Sequence, residues 1–215
     1  MNKIQKKEVF WGLVAGSIIA YTIIMVKVNT MPKPVPTCRE VGAGGHLYRG
    51  QCLAKDYKPV LLPLSPRASW LNTEQQLDIK AKVMFEQMIA DAESEGICLV
   101  VSSGYRSEAE QAKILEETPA ERKNLVAKPN ESEHLTGLAV DFVACPMIKG
   151  VRNDGAERME LKNEFDTLPE YRWLVDNAHK YGIEQSYTVE NIAESQYPVE
   201  SWHWKFIVKE AQSGK

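Results

Sequence analysis

Ser132-Glu133-His134-Leu135-Thr136-Gly137-Leu138-Ala139-Val140-Asp141-Phe142-Val143-Ala144 changes character at Gly137. Before the glycine the residues are polar and turn-like. From Gly137 to Ala144 they are small or apolar, with a single acid among them. That run reads as a strand, whose side chains alternate between two faces. Leu138, Val140 and Phe142 then face a core, while Gly137, Ala139 and Asp141 face the other way. Asp141 is thus an acid on a face otherwise lined by tiny side chains, which leaves room for an ion or a ligand. His134 precedes the strand, where a turn can bring its ring back over the same face.

The flanking sequence supplies the rest of the fold. Thr73 and Gln76 form a capping-box pattern, and Gly96 supplies a stop, so a helix is expected from Thr73 to Glu95. Leu77, Ala81, Met84, Met88 and Ala92 recur at helical spacing and form its core stripe. Ile97 to Val101 reads as a short buried strand. Ser107 and Glu110 make a second capping box, opening a helix to about Glu117. Glu170 to Tyr181 is a third helix, stopped by Gly182, and Trp202 to Val208 is a final strand. The stretches 37–71 and 146–169 read as irregular. Helices and strands mix without strict βαβ alternation. The expected class is α+β, with a small, largely antiparallel sheet and flanking helices.

The N-terminus is a different kind of sequence. Val9 to Val26 is 18 residues without a charge, and as a helix it would span about 27 Å, close to a hydrocarbon core. Lys3, Lys6 and Lys7 precede it and Lys27 follows it. The denser positive cluster on the N-terminal side predicts that this end stays in the cytoplasm. No small-x-small cleavage site ends the run, which favours an uncleaved anchor over a signal peptide. Three prolines in Met31–Pro36 favour an extended spacer. The expected organisation is a cytoplasmic segment 1–8, a transmembrane anchor 9–28, a Pro-rich spacer 29–36, an irregular extension 37–71 and a catalytic domain 72–215. This predicts a single-pass protein of the cell membrane with its domain outside, periplasmic or extracellular.

A net charge of −3 gives no electrostatic reason to expect nucleic acid as a partner. Nothing in the sequence calls for an obligatory protein partner. Four cysteines suit export, and they allow three pairings. Locality favours Cys38 with Cys52, and strand adjacency favours Cys98 with Cys145. Free buried thiols are the alternative. No Cys-x-x-Cys pair exists, so a thiolate metal site is not expected.

Chemistry concentrates at two of the four histidines. In Glu200-Ser201-Trp202-His203-Trp204, the apolar face of the strand carries Trp202, Trp204, Phe206 and Val208. His203 therefore points off the core, with Glu200 close by. His46 and His179 sit in no such pattern; His179 falls in the last turn of a helix, where it suits the dipole. His134, Asp141 and His203 with Glu200 make two imidazoles, a carboxylate ligand and a spare carboxylate. Zinc catalysis uses that set: three protein ligands, an open position and a base outside the ligands. A non-catalytic zinc domain and a non-haem iron site with two histidines and a carboxylate use the same ligands, though neither needs Glu200.

At these residues the chain resembles the VanY-type D-alanyl-D-alanine carboxypeptidases, part of a wider zinc peptidase group that includes the lysostaphin-type enzymes. Their pattern Ser-x-His-x-x-Gly-x-Ala-x-Asp is met by Ser132, His134, Gly137, Ala139 and Asp141. Their Glu-x-Trp-His is met by Glu200, Trp202 and His203. Their Ser-Gly-Tyr-Arg-Ser, with a Gln five residues after the Arg, is met by Ser103 to Ser107 and Gln111. The likeness spans residues 70 to 210. It implies one zinc ion per chain on His134, Asp141 and His203, with Glu200 as general base. It implies that Arg106 stabilises the oxyanion or holds the substrate, and that Ser132, Gln111 and Tyr105 contact it. The implied substrate is the stem peptide of peptidoglycan, cut at its terminal D-alanine. L,D-carboxypeptidase and endopeptidase cleavage use the same chemistry. Two departures stand out. Lys205 occupies a position where the family usually has Arg, and the stretch Tyr187 to Val199 lacks the usual Arg-Tyr-Pro run. Both bear on which bond is cut.

Overall fold

The computed structural model describes residues 46–48, 51–53, 57–70, 73–145, 164–191 and 197–208. The expected anchor Val9–Val26, the spacer and the Cys38–Cys52 pairing lie outside the described residues. Among the described residues no helix is long and apolar enough to cross a membrane.

The central element is a four-stranded antiparallel sheet in the order β5-β6-β8-β7. Its strands are β5 (Leu99–Ser103), β6 (Ala139–Ala144), β7 (Ile183–Gln185) and β8 (His203–Phe206). Two smaller antiparallel pairs precede it in the chain: β1 (His46–Tyr48) with β2 (Gln51–Leu53), and β3 (Leu61–Pro63) with β4 (Gln76–Asp78). The helices are α1 (Ile79–Ser94), α2 (Glu108–Glu117) and α3 (Pro169–Asn177), with a turn of 3-10 helix, Ala178–Tyr181, continuing the last. The class is α+β, as expected.

Alternation assigns the sheet faces correctly. Leu138, Val140, Phe142 and Ala144 enter the main core, together with Leu99, Val101 and Trp204 of the neighbouring strands. Ala81, Phe85, Met88, Ile89 and Ala92 of α1 pack into the same core, as do Trp173 and Leu174 of α3. Phe85 meets Phe142 edge-on at 5.9 Å, a favoured aromatic geometry. The opposite face carries Asp141 and His203. It is closed at one end by a small cluster of Trp70, Val100 and Val143.

Three expectations need correction. Helix α1 begins at Ile79 rather than Thr73. Asp78 caps it, its Oδ1 accepting from Lys80 N at 3.0 Å. Residues 76–78 instead pair with 61–63, because backbone pairing satisfies their polar groups and buries Leu77. Leu77 is therefore a strand core residue, and Phe85 and Ile89 complete the α1 stripe in place of Met84, which is only half-buried. The stretch 37–71 is not irregular throughout, since it holds β1, β2, β3 and a 3-10 turn, Pro66–Ala68. The helix 108–117 stands as expected, its capping box closed by Ser107 and Glu110.

Cys98 and Cys145 flank the paired ends of β5 and β6. They form a disulfide with a Cα–Cα distance of 5.4 Å. Register explains the pairing: Leu99 lies opposite Ala144, and Cys145 N donates to Cys98 O at 3.2 Å.

Candidate metal centre

The register of β6 and β8 builds the site. Asp141 lies directly opposite His203, so their side chains leave the same face as nearest cross-strand neighbours. His134 arrives from a 3-10 turn, Glu133–Thr136, which ends at Gly137 in the left-handed region, φ 67°. This turn folds the chain back over the sheet, as the sequence suggested. His134, Asp141 and His203 are all buried, and one ligand atom from each lies within 4.8 Å of the others.

Hydrogen bonds decide which imidazole nitrogens face inward. His134 Nδ1 lies 2.7 Å from Gly104 O. A carbonyl only accepts, so Nδ1 carries the proton and Nε2 keeps its lone pair. Gly104 itself packs against β4, where a Cβ would lie 2.7 Å from Gln76 O. His134 Nε2 sits 3.4 Å from Asp141 Oδ1 and, although buried, has no hydrogen-bond partner. On the other side, His203 Nδ1 lies 2.9 Å from Asp141 Oδ1. Its Nε2 lies 2.8 Å from Glu133 Oε2, and Glu133 Oε1 meets Lys205 Nζ at 3.1 Å.

The residues fit a metal ion. Ligands at ~2.1 Å around a tetrahedral zinc stand ~3.4 Å apart, and the His134–Asp141 separation is 3.4 Å. The orphaned Nε2 is a cost that a buried nitrogen bears only when something else occupies its lone pair. The donor set, two imidazoles and a carboxylate, is that of catalytic zinc sites.

Electrostatics separates the two histidines. Burial, reinforced by Arg106, pushes His134 down to about 4 and keeps it neutral. Burial also opposes charge on His203, but the hydrogen bonds to Asp141 and Glu133 outweigh it and raise His203 to about 9. Glu133 is held at about 2, against burial, by Lys205 and His203. In the metal-free site, then, a proton on His203 Nδ1 stands where a metal cation would.

Glu200 lies beside the ligands and outside their set. Its Oε2 is 3.9 Å from His203 Nδ1. Arg106 is tied to both ligand segments: its backbone N donates to His134 O at 3.2 Å, and its Nη2 is 3.9 Å from Asp141 Oδ2. Its Nη1 donates to Gln111 Oε1 at 2.7 Å, and Gln111 in turn donates to Ala127 O at 2.8 Å. Gln111 is buried and orients Arg106. Arg106 Nε is a buried donor without a hydrogen bond. Ser132 is buried and Tyr105 half-buried, in the turns that carry His134 and Arg106. His179 is exposed, on the 3-10 turn after α3. Sequence reasoning passed over Glu133 and over Tyr187, whose ring lies 5.1 Å from that of His203. A lysine at the parity of His203 was the available signal for the first. Tyr187 offered none, since it lies outside any periodic segment.

The sequence model of the family VanY, D-alanyl-D-alanine carboxypeptidase, matches residues 74–209, more than half of the chain. The chain belongs to that family. It is 34% identical over 135 residues to YodJ of Bacillus subtilis, covering 60% of this chain and 44% of that protein. It is 28% identical over 155 residues to a D-alanyl-D-alanine carboxypeptidase of Enterococcus faecalis, covering 66% of this chain and 52% of the relative. The chain thus spans about half the length of these curated relatives. Among solved structures it resembles the LdcB LD-carboxypeptidase, with 28% identity, a TM-score of 0.58, and 74% and 73% of the two chains covered. It also resembles a VanY D,D-pentapeptidase from a VanB-type vancomycin resistance cassette, solved in complex with Zn(II). That match has 27% identity, a TM-score of 0.54, and 73% and 83% coverage.

Proposed function

We propose that this VanY-family domain is a zinc-dependent carboxypeptidase that removes the terminal D-alanine from peptidoglycan stem peptides. One observation carries the reading: His134 Nε2, Asp141 Oδ1 and His203 Nδ1 converge, with the Glu200 carboxylate next to them and outside the set. A pure binding or structural site has no use for that fourth group. The similar VanY structure holding Zn(II) and a VanYB structure in complex with D-alanine-D-alanine support the metal and the substrate class.

Zinc, when bound, supplies a Lewis acid that polarises the scissile carbonyl and acidifies water. Glu200 takes the proton from the attacking water and delivers it to the leaving amine. Arg106, fixed by Gln111, offers its unpaired donor to the charge that develops on the carbonyl oxygen or to the substrate carboxylate. His134, Asp141 and His203 are the residues that would hold the ion.

The likeness to an LD-carboxypeptidase gives the second reading, removal of D-alanine from a tetrapeptide. Defined stem peptides separate the two, with chelator and zinc add-back in each arm. Release of D-alanine from a pentapeptide and not from a tetrapeptide supports D,D-cleavage, and the reverse supports L,D-cleavage. Turnover that survives chelation refutes the zinc reading. The same proposal takes Val9–Val26 as a single-pass anchor holding the domain outside the cytoplasm, which protease digestion of cells stripped of any outer membrane and wall tests: a domain protected from cleavage contradicts it.

A further inference from the structure

Glu133 and Lys205 form a buried charged pair directly behind the metal centre, and no step proposed above uses them. Both are at most 5% exposed. A buried ion pair is weak evidence for stability, since desolvation offsets most of the attraction. The geometry of this pair assigns it another task. Glu133 Oε1 takes Lys205 Nζ at 3.1 Å, and Glu133 Oε2 takes His203 Nε2 at 2.8 Å. In the neutral imidazole that binds a metal, an Nε2–H donated to a carboxylate leaves Nδ1 as the lone pair. His203 Nδ1 is the nitrogen that faces Asp141. Chain geometry makes the arrangement possible: Lys205 is two residues from His203 on β8 and shares its face, opposite the small Ala139. Glu133 enters from the turn that carries His134.

We infer that Glu133, held in place by Lys205, is a positioning residue that fixes the tautomer and orientation of His203 for metal binding. Adjacent residues then serve different ligands: His134 binds the metal, and Glu133 braces the ligand on the other strand. Carboxylates hydrogen-bonded to metal-binding imidazoles act this way, and their removal costs 10- to 100-fold in metal affinity. The inference rests on the zinc reading above.

The test uses the full chain and zinc affinity measured by competition with a chromogenic chelator. E133Q/K205M keeps a neutral acceptor for His203 and strands no cation. E133L/K205M has similar bulk and no acceptor. The first is expected to bind zinc within about fivefold of the wild type, and the second roughly 10- to 100-fold more weakly. Equal affinities for the two variants, whether wild-type or weakened, overturn the bracing role. Imidazole nitrogen NMR of the zinc-loaded wild type decides the matter if a variant fails to fold. Metal on His203 Nδ1 with a proton on Nε2 supports the inference, and metal on Nε2 overturns it. A wild-type chain that binds no zinc overturns the zinc reading itself, a result distinct from zinc-loaded protein with indifferent variants.

Discussion

Replacing Gly137 with alanine tests whether the turn that delivers His134 is as tightly held as the structure shows. Gly137 has φ 67°, where a side chain costs about 1–2 kcal/mol. Its N–H donates to His134 O at 3.2 Å, and its carbonyl accepts from Asp78 N at 2.9 Å. An added Cβ would lie 2.9 Å from Asp78 N and 3.2 Å from both Leu61 Cδ2 and Pro59 Cβ. The nearest of these is backbone, which cannot swing aside, so overpacking adds about 1–3 kcal/mol. The expected loss is about 3 kcal/mol. Gly96 provides the reference. It has φ 80°, yet nothing lies within 4 Å of its added Cβ, so G96A costs only the backbone part, about 1–2 kcal/mol. Urea unfolding followed by tryptophan fluorescence reads both values, with Trp70 and Trp204 as buried reporters. G137A also weakens zinc binding, because relief of the clash moves the turn that presents His134, whereas G96A leaves it unchanged. Equal stability losses in the two variants would refute the close approach at Gly137 and with it this account of how the ligand is placed.

Glu200→Gln lowers turnover by about 10²- to 10⁴-fold, the range for losing a general base, while zinc affinity stays within a few-fold; unchanged turnover contradicts the assignment. C98S/C145S closes no loop across its 47-residue separation and loses about 2–4 kcal/mol in urea unfolding; a loss under ~1 kcal/mol would mean that the β5–β6 ladder alone holds these ends. The metal-free chain has its stability maximum near pH 6.5. On the alkaline side, His203 is raised from 6.5 to about 9, so its contribution is complete below 6.5 and is lost as pH rises through 9. On the acid side, His134 is lowered to about 4 and Glu133 to about 2, so stability is lost as pH falls below 6.5 and then below 4.5. The alkaline flank is on the order of 3 kcal/mol, and the acid flank on the order of 3 kcal/mol for each of its two groups; saturating zinc flattens the alkaline one by taking the place of the proton, and a metal-free chain whose stability is flat from pH 6.5 to 9 refutes the His203 part.

Strand parity was enough to place Asp141 and His203 off the core, since Leu138, Val140 and Phe142 on one strand and Trp204 on the other could be read as apolar faces. Their convergence depended on the pairing register, Asp141 opposite His203. That is a long-range property: parity fixes a face and says nothing of which residue stands opposite. The start of α1 was misread for a related reason. Thr73 and Gln76 carry a local capping signal, but pairing of 76–78 with 61–63 satisfies the backbone better. Strand β7 is three residues long and follows Gly182 directly, too short to show a period. Glu133 falls at the unspecified position of the Ser-x-His pattern, between Ser132 and His134. The alternation Trp202-His203-Trp204-Lys205 did place Lys205 on the His203 face, and a lysine there requires a buried acid as partner; reading that requirement would have led to Glu133.

The central claim is that His134, Asp141 and His203 hold one zinc ion and Glu200 does not. Metal content by atomic emission, on the purified chain dialysed against trace zinc, addresses it directly. The expected result is one zinc per chain in the wild type and in Glu200→Gln, and none retained in His134→Ala, Asp141→Ala or His203→Ala. Zinc retained after loss of any of the three, or absent from the wild type, would contradict the account.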